Sequence, residues 1–312
     1  MKRALFYSAI AIALLYVVRE LEYVGLRKNE GGEFAKLRVV FEEKNNFDLV
    51  ILGSSRAECQ FYTPIIDSAT GLKSYNLGMT GAVMPLIAAT FEAYLENSAA
   101  PRYVILNLDL HSLSDNTDTV YRFPRYFAFL DNEKLYEGLQ SRDSRFFWFK
   151  YIPLYSMPYY NNRYISNSIR GWINKPSKYN VDYELGFAPS ITDTFLGDLD
   201  TATLIGLNTK IPEVVWNGFL KLHQLCKERK CQLIIVVSPL FHRQEQVVQN
   251  YTEVLQKFKS YAVQEKIPLL DLGLDSIRFE DQFYADPAHL NKSGARKFTR
   301  TFCSAVKQYL VP

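Results

Sequence analysis

Asp48-Leu-Val-Ile-Leu-Gly53-Ser54-Ser55-Arg56 passes in one step from an unbroken apolar run to small polar residues. A short run rich in β-formers and closed by glycine predicts a strand buried on both faces of a parallel sheet. Four more runs of this kind lie further along: Ser74–Leu77, Tyr103–Leu110, Cys231–Val237 and Pro268–Leu272. Apolar residues at helical spacing fill the segments Ala82–Asn97, Ile211–Lys230, Glu245–Glu265 and Lys292–Leu310. Strands alternating with helices predict an α/β fold, a doubly wound, flavodoxin-like parallel sheet of about five strands. Such a sheet takes its ligands at the carboxyl ends of the strands.

Two regions fall outside that alternation. From about 112 to 205 the chain is rich in Tyr, Phe, Asn, Arg and Pro, as in Met157-Pro-Tyr-Tyr-Asn-Asn-Arg-Tyr164. This is too long for a plain loop, so it is expected to be a partly helical insertion over the carboxyl ends of the strands. The other region is the N-terminus, where Lys2-Arg3 precedes 15 apolar residues, Ala4–Val18, closed by Arg19-Glu20. That run lies between the length of a signal-peptide core and that of a membrane span. No small-x-small cleavage site follows it. The expectation is an uncleaved signal anchor over residues 1–30, with the domain of 31–312 on the extracytoplasmic side because the positive charges precede the run. A cleaved peptide and a buried first helix are the alternatives. The charged segment Arg27–Phe47 reads as a helical stalk into the domain.

Composition narrows the function classes. With 48% apolar residues the 312-residue chain can bury a large core, and a net charge of +3 without a dense basic stripe argues against nucleic acid as a partner. Aromatic residues make up 14%, which fits either a well-filled core or an aromatic cleft for sugar rings. The four cysteines, Cys59, Cys226, Cys231 and Cys303, show no zinc spacing and are expected to be free, buried thiols.

Three pieces of sequence carry candidate chemistry. Ser55 stands where the first strand turns into a helix, exposed at the edge of the sheet with its N–H near a helix start, which suits a nucleophile whose intermediate bears an oxyanion. Asp286-Pro-Ala-His289 places a carboxylate three residues from an imidazole. His289 can then act as base for Ser55, and Asp286 can fix its tautomer. Gly78 ends the second strand and can bring its N–H close to a ligand, beside that of Ser55. Each alone has an ordinary structural reading: a helix cap, a surface histidine, a strand-ending glycine.

Taken together, Gly53-Ser54-Ser55, Gly78 and Asp286-Pro-Ala-His289, continued as His289-Leu-Asn-Lys-Ser-Gly294, resemble the motifs of the SGNH or GDSL-type hydrolases. The resemblance covers about Asp48–Leu110 and Cys231–Leu310, not the insertion. It implies Ser55 as nucleophile, His289 and Asp286 as its partners, Ser55 and Gly78 as oxyanion donors, and no cofactor or metal. One departure stands out. Where the family places an asparagine that donates to the oxyanion, Leu106-Asn107-Leu108-Asp109 offers Asp109, and an ionised aspartate cannot donate. Asn107 on the same strand face and Arg56 are the other candidates for oxyanion or substrate contact.

His111 and His242 follow strands on the site side and could touch substrate, whereas His223 lies within a helix. Arg122, Arg125 and Arg163 could bind an anionic substrate. Asn250-Tyr-Thr252 and Asn291-Lys-Ser293 match glycosylation sequons. An anchored chain of this kind resembles the membrane-linked branch of the family that works on cell-envelope polysaccharide, often beside a membrane acyltransferase. It implies a serine esterase or O-acyltransferase acting through an acyl-Ser55 intermediate. The alternatives are a catalytically weak glycan-binding or assembly subunit and a small-ester or lipid hydrolase.

Overall fold

The computed structural model describes residues 1–113, 120–160, 162–177, 183–190, 211–242 and 251–310. Five parallel strands form the sheet: β1 (Leu49–Leu52), β2 (Ser74–Asn76), β3 (Tyr103–Leu108), β4 (Gln232–Val237) and β5 (Leu269–Asp271). Their order is β2-β1-β3-β4-β5, the doubly wound order expected from the alternation of runs. Register is continuous across the centre, with Leu49 opposite both Ser74 and Tyr103 and Ile105 opposite Ile234.

The unbroken apolar runs follow from burial on both faces. In β1, Val50 and Leu52 enter one core with Leu106 and Ile235, while Leu49 and Ile51 enter the other with Ile105 and Ile234. Successive side chains in a strand point to opposite faces, so a strand between two helical layers is apolar at nearly every position.

Helices α1 (Lys2–Arg27), α2 (Gly32–Phe41), α3 (Ser55–Gln60), α4 (Thr63–Thr70), α5 (Met84–Asn97), α6 (Glu133–Gln140), α7 (Arg145–Tyr151), α8 (Asn162–Trp172), α9 (Glu213–Glu228), α10 (Tyr251–Glu265) and α11 (Lys292–Val306) complete the described chain, with a hairpin of β6 (Tyr284–Asp286) and β7 (His289–Leu290). Residues 245–250 of the expected fourth-strand helix lie outside the described residues, as does Asn250. Phe61, Phe298 and Phe302 join α3 and α11 beneath the sheet, with edge-to-face contacts at 5.3 and 5.1 Å between ring centroids.

Two expectations are corrected. Residues 27–47 are not a stalk. Phe34, Leu37, Val40 and Phe41 form the buried stripe of α2, at the three- and four-residue spacing of a core-facing helix. Nor do the described helices of the insertion sit over the strand ends. Its helices α6 and α8 pack against α5 and α1, beside the sheet. The rings of Phe123, Phe127, Phe146 and Phe149 pack on one another there, so much of the aromatic content fills a core. The described segment 183–190 does reach a strand end, where Asn76 N–H donates to the Leu185 carbonyl at 2.9 Å. Residues 114–119, 161, 178–182 and 191–205 of the expected insertion lie outside the described residues.

α1 extends past Arg19-Glu20 to Arg27 and is long and apolar enough to cross a membrane. Residues 1–18 are exposed along its whole circumference, while Tyr23 and Leu26 are buried against the domain. No disulfide joins the four cysteines. Cys226, Cys231 and Cys303 are buried and Cys59 is partly so.

Candidate active site

β1 ends at Gly53, whose φ of +150° and crowding rule out a side chain: a Cβ there would lie 2.6 Å from that of Ala57. The chain then turns at Ser54, the N-cap of α3, whose hydroxyl accepts from Arg56 N–H. Ser55 follows as the first helical residue. Its N–H is among those that a helix start leaves without an intrahelical acceptor.

The second half of the site comes from the β6–β7 hairpin. Asp286 Oδ1 accepts from the N–H groups of Ala288 at 2.8 Å and His289 at 2.9 Å. The same carboxylate therefore builds the turn and faces the imidazole, with both oxygens 2.9 Å from His289 Nδ1. Gly294 fits where α11 crosses the hairpin, since a Cβ would lie 2.2 Å from the Phe283 carbonyl. Asn291 caps α11 through Gly294 N–H and donates to the Gln282 carbonyl, so this buried asparagine is a structural cap rather than an acceptor for glycan.

The two halves meet. His289 Nε2 is 2.7 Å from Ser55 Oγ, across 234 residues of sequence. Gln60 at the end of α3 donates to the Ala288 carbonyl, and Tyr62 N–H donates to Thr299 Oγ1 in α11. Burial opposes ionisation of Asp286, but the hydrogen bond and charge of His289 and the two backbone N–H groups outweigh it and hold the carboxyl below its usual range. An ionised Asp286 can only accept, so Nδ1 carries the proton and Nε2 is left to accept from the Ser55 hydroxyl. This is the geometry of an activated nucleophile, its base and the base's orienting group.

The expected oxyanion donors are arranged differently. Gly78 N–H already donates to Asn76 Oδ1 at 2.9 Å, and its carbonyl accepts from Lys36, so Gly78 is not a free donor. Asn76 is held in turn by the carbonyls of Ala57 and Phe61. Asp109 is buried behind Ser54, accepting from the Ser54 hydroxyl at 2.8 Å and from Ser112 N–H at 2.9 Å. Asn107 Nδ2 lies 3.4 Å from the same carboxylate, deep in the sheet. Asp109 thus fixes the N-cap serine beside the nucleophile and does not stand in for a donating asparagine. Arg56 is buried, and its Nη2 donates to the carbonyls of Ser238 and Pro239 at the end of β4.

A buried ion pair, unforeseen from the sequence, sits under α3. Glu58 accepts from Lys36 Nζ at 2.8 Å, from Thr80 N–H at 3.0 Å and from the Thr80 hydroxyl. Lys36 also donates to the carbonyls of Gly78 and Gly186. Burial opposes charge on Glu58, yet Lys36 and these hydrogen bonds hold its carboxyl below the usual range. One signal for it exists: Lys36 lies inside the apolar stripe of α2. Ser55-Arg-Ala-Glu58 spells a capping box, which predicts the opposite direction for the Glu58 side chain.

The remaining candidates are placed as follows. Arg122 and Arg125 pair with Glu33, each at 3.3 Å, and Arg125 also donates to the Thr80 carbonyl, so both serve the fold. His242 Nδ1 lies 3.1 Å from the Arg278 carbonyl, and His223 Nδ1 lies 2.9 Å from the Tyr261 hydroxyl. His111 is exposed just beyond β3, and Arg163 is half-buried in α8.

No protein-family model matches the chain, and no curated protein does. Among solved structures it is similar to a putative acylhydrolase from Bacteroides fragilis NCTC 9343, at 12% identity and a TM-score of 0.44, covering 89% of this chain and 96% of that one. It is also similar to a GDSL-like lipase from Bacteroides thetaiotaomicron VPI-5482, at 13% identity and a TM-score of 0.41, covering 86% and 90%.

The contact of Asp286 with His289 Nδ1 gives a direct expectation. Asp286→Asn keeps the shape but offers an amide where Nδ1–H needs a carboxylate, so the wrong tautomer competes. The expected loss in kcat is about 10³- to 10⁴-fold, with little change in thermal stability. Steady-state ester hydrolysis alongside a melting curve checks it. A loss under tenfold would remove Asp286 from the triad.

Proposed function

We propose that this protein is a serine ester hydrolase or O-acyltransferase, and the observation that carries the reading is the 2.7 Å contact between Ser55 Oγ and His289 Nε2 with Asp286 behind it. His289 takes the Ser55 proton as Oγ attacks the ester carbonyl. The tetrahedral intermediate collapses to an acyl-Ser55, and the imidazolium gives its proton to the departing alkoxide. A second hydroxyl, from water or a sugar, then repeats the sequence in reverse. Water gives hydrolysis and a sugar hydroxyl gives transfer, with the same three residues in the same roles. Ser55 N–H at the start of α3 is the donor best placed for the oxyanion.

In this reading α1 anchors the chain in a membrane, and Lys2-Arg3 ahead of it puts the domain on the extracytoplasmic side. The substrate class that fits such a placement is an acylated cell-envelope polysaccharide, with a membrane acyltransferase as partner. The engaged Gly78 N–H favours a second reading, a glycan-binding subunit of low turnover, because it leaves the oxyanion hole short of a donor.

The full chain in detergent is expected to react with a fluorophosphonate probe and to release p-nitrophenol from p-nitrophenyl acetate. Adding an acetylated or unacetylated polysaccharide separates deacetylation from acceptor-dependent transfer. Absence of labelling where a known serine esterase labels would favour the binding subunit over the enzyme.

A further inference from the structure

The surface around the exit of α1 is apolar and aromatic. α7 exposes Phe147, Trp148 and Tyr151, and the following segment exposes Ile152, Tyr155 and Met157. α8 adds Ile165, Ile169 and Trp172, and Ile173 follows. Between α1 and α8 runs an open groove lined by Val18, Leu21, Met157, Ile165, Ile169 and Trp172, with Glu22 and Ser168 as its polar members. On a soluble domain such a contiguous patch would be a liability.

The patch is fastened to α1 itself. The Tyr16 hydroxyl donates to the Tyr151 carbonyl at 2.6 Å, and Arg19 Nη1 to that of Lys150 at 2.7 Å. Trp172 Nε1 donates to the Leu21 carbonyl at 2.8 Å, and Ser168 to that of Glu22 at 2.9 Å. Gly25 and Gly171 let the two helices touch, since a Cβ on Gly171 would lie 1.8 Å from the Gly25 carbonyl. The patch is therefore fixed along α1, from Tyr16 to Gly25. Aromatic and cationic side chains lie together at both ends of this stretch: Arg19 over the Tyr16 ring at 4.9 Å, and Lys28 over the Trp172 ring at 4.2 Å. Amphipathic rings and long cations with apolar stems settle at a membrane–water boundary.

Position along α1 ties the patch to the anchor. The apolar run Ala4–Val18 ends at Arg19-Glu20, and the contacts that fasten the patch straddle that end, from Tyr16 to Gly25. A helix that enters a bilayer through this run meets the membrane–water boundary where the patch is held.

We propose that the face formed by α7, Ile152–Met157 and α8 lies in the interface of the bilayer that α1 enters, making the insertion a lipid-facing collar around the anchor. This rests on the anchor reading of α1. It gives the insertion a role apart from the catalytic residues: to hold the domain against the lipid surface in one orientation.

Depth-dependent quenching in vesicles of three parts phosphatidylcholine to one part phosphatidylglycerol tests it. The full chain is reconstituted in four forms. Three keep one native tryptophan each, Trp148, Trp172 or Trp216, with the other two changed to Phe. The fourth has all three changed to Phe and carries Leu14→Trp. Trp216 packs with Phe258 and Tyr261 on the sheet's helical layer and serves as the off-membrane reference. Lipids spin-labelled high on the acyl chain are expected to quench Trp148 and Trp172 at least about twofold more than Trp216, as a ring at the boundary requires. The unaltered chain should show partial quenching under the same conditions, which guards against a misfolded variant. If the Leu14→Trp form is quenched while Trp148 and Trp172 behave like Trp216, the collar is overturned and the anchor stands. That result with two copies per particle assigns the face to a second copy of the chain instead. If the Leu14→Trp form is not quenched either, both readings fall.

Discussion

Ser55→Ala is expected to abolish fluorophosphonate labelling and to lower ester turnover by about 10⁴-fold or more. The size follows from how narrowly the site defines its nucleophile. Ser55 Oγ is the hydroxyl within reach of His289 Nε2, and without it the base has nothing to deprotonate. Ser54 cannot substitute, although it is adjacent. Its hydroxyl is fully buried and donates to Asp109, whose other oxygen accepts from Ser112 N–H, so it is closed off from substrate. Cys59 lies in the same helix, but burial pushes its thiol well above the range where a thiolate forms. The variant should keep its fold, because removing one partly exposed hydroxyl leaves no buried group unpaired except a histidine nitrogen that water can reach. Labelling that survives Ser55→Ala would place the nucleophile elsewhere and end the triad reading.

The parts of this protein that were legible in the sequence are those governed by local rules. A strand between two helical layers is apolar at nearly every position, and β1, β3 and β4 announce themselves that way, with Asn107 and Gln232 as the polar exceptions. A glycine that must turn the chain at the end of β1, and a carboxylate spaced to close its own turn under an imidazole, are local too. What stayed hidden depends on side chains meeting across the fold. Gly78 has the right position for an oxyanion donor, but the side chain of Asn76, two residues earlier, takes its N–H. Asp109 looked like a flawed donor because its partner, Ser54, becomes visible only when β1 and β3 lie side by side. The charges in residues 27–47 suggested a solvated stalk, yet Glu33 and Lys36 are buried, satisfied by Arg125 and by Glu58. The apolar positions 34, 37, 40 and 41 are the better guide, and the place of Lys36 within their stripe is the one trace the buried pair leaves on the pattern.

Lys36→Met is expected to lower the unfolding free energy by about 3–5 kcal/mol, the usual result of stripping one partner from a buried ion pair. The side chains of Lys36 and Glu58 are 2% and 6% exposed, so water cannot replace the lost ammonium. Glu58 would keep the two donors of Thr80, while the carbonyls of Gly78 and Gly186 would lose theirs. Four chain segments converge on this one side chain: α2, α3, the loop after β2 and the stretch of the insertion around Gly186. Activity should fall as well, because Glu58 is one turn after Ser55 and any shift of α3 moves Oγ relative to His289. The double variant Lys36→Met/Glu58→Met separates the two effects. Replacing both charges removes the unpaired carboxylate, so most of the lost stability should return, to within about 1–2 kcal/mol of the starting protein. Urea unfolding of the two single variants and the double gives the coupling energy directly. A near-zero coupling would mean that the pair is incidental to the fold. Strong coupling with activity still low in the double variant would show that this buried pair acts by fixing α3, and that the geometry of Ser55 against His289 depends on a lysine contributed by the helix that follows α1, whereas recovered activity would trace the loss to the unpaired Glu58 carboxylate alone.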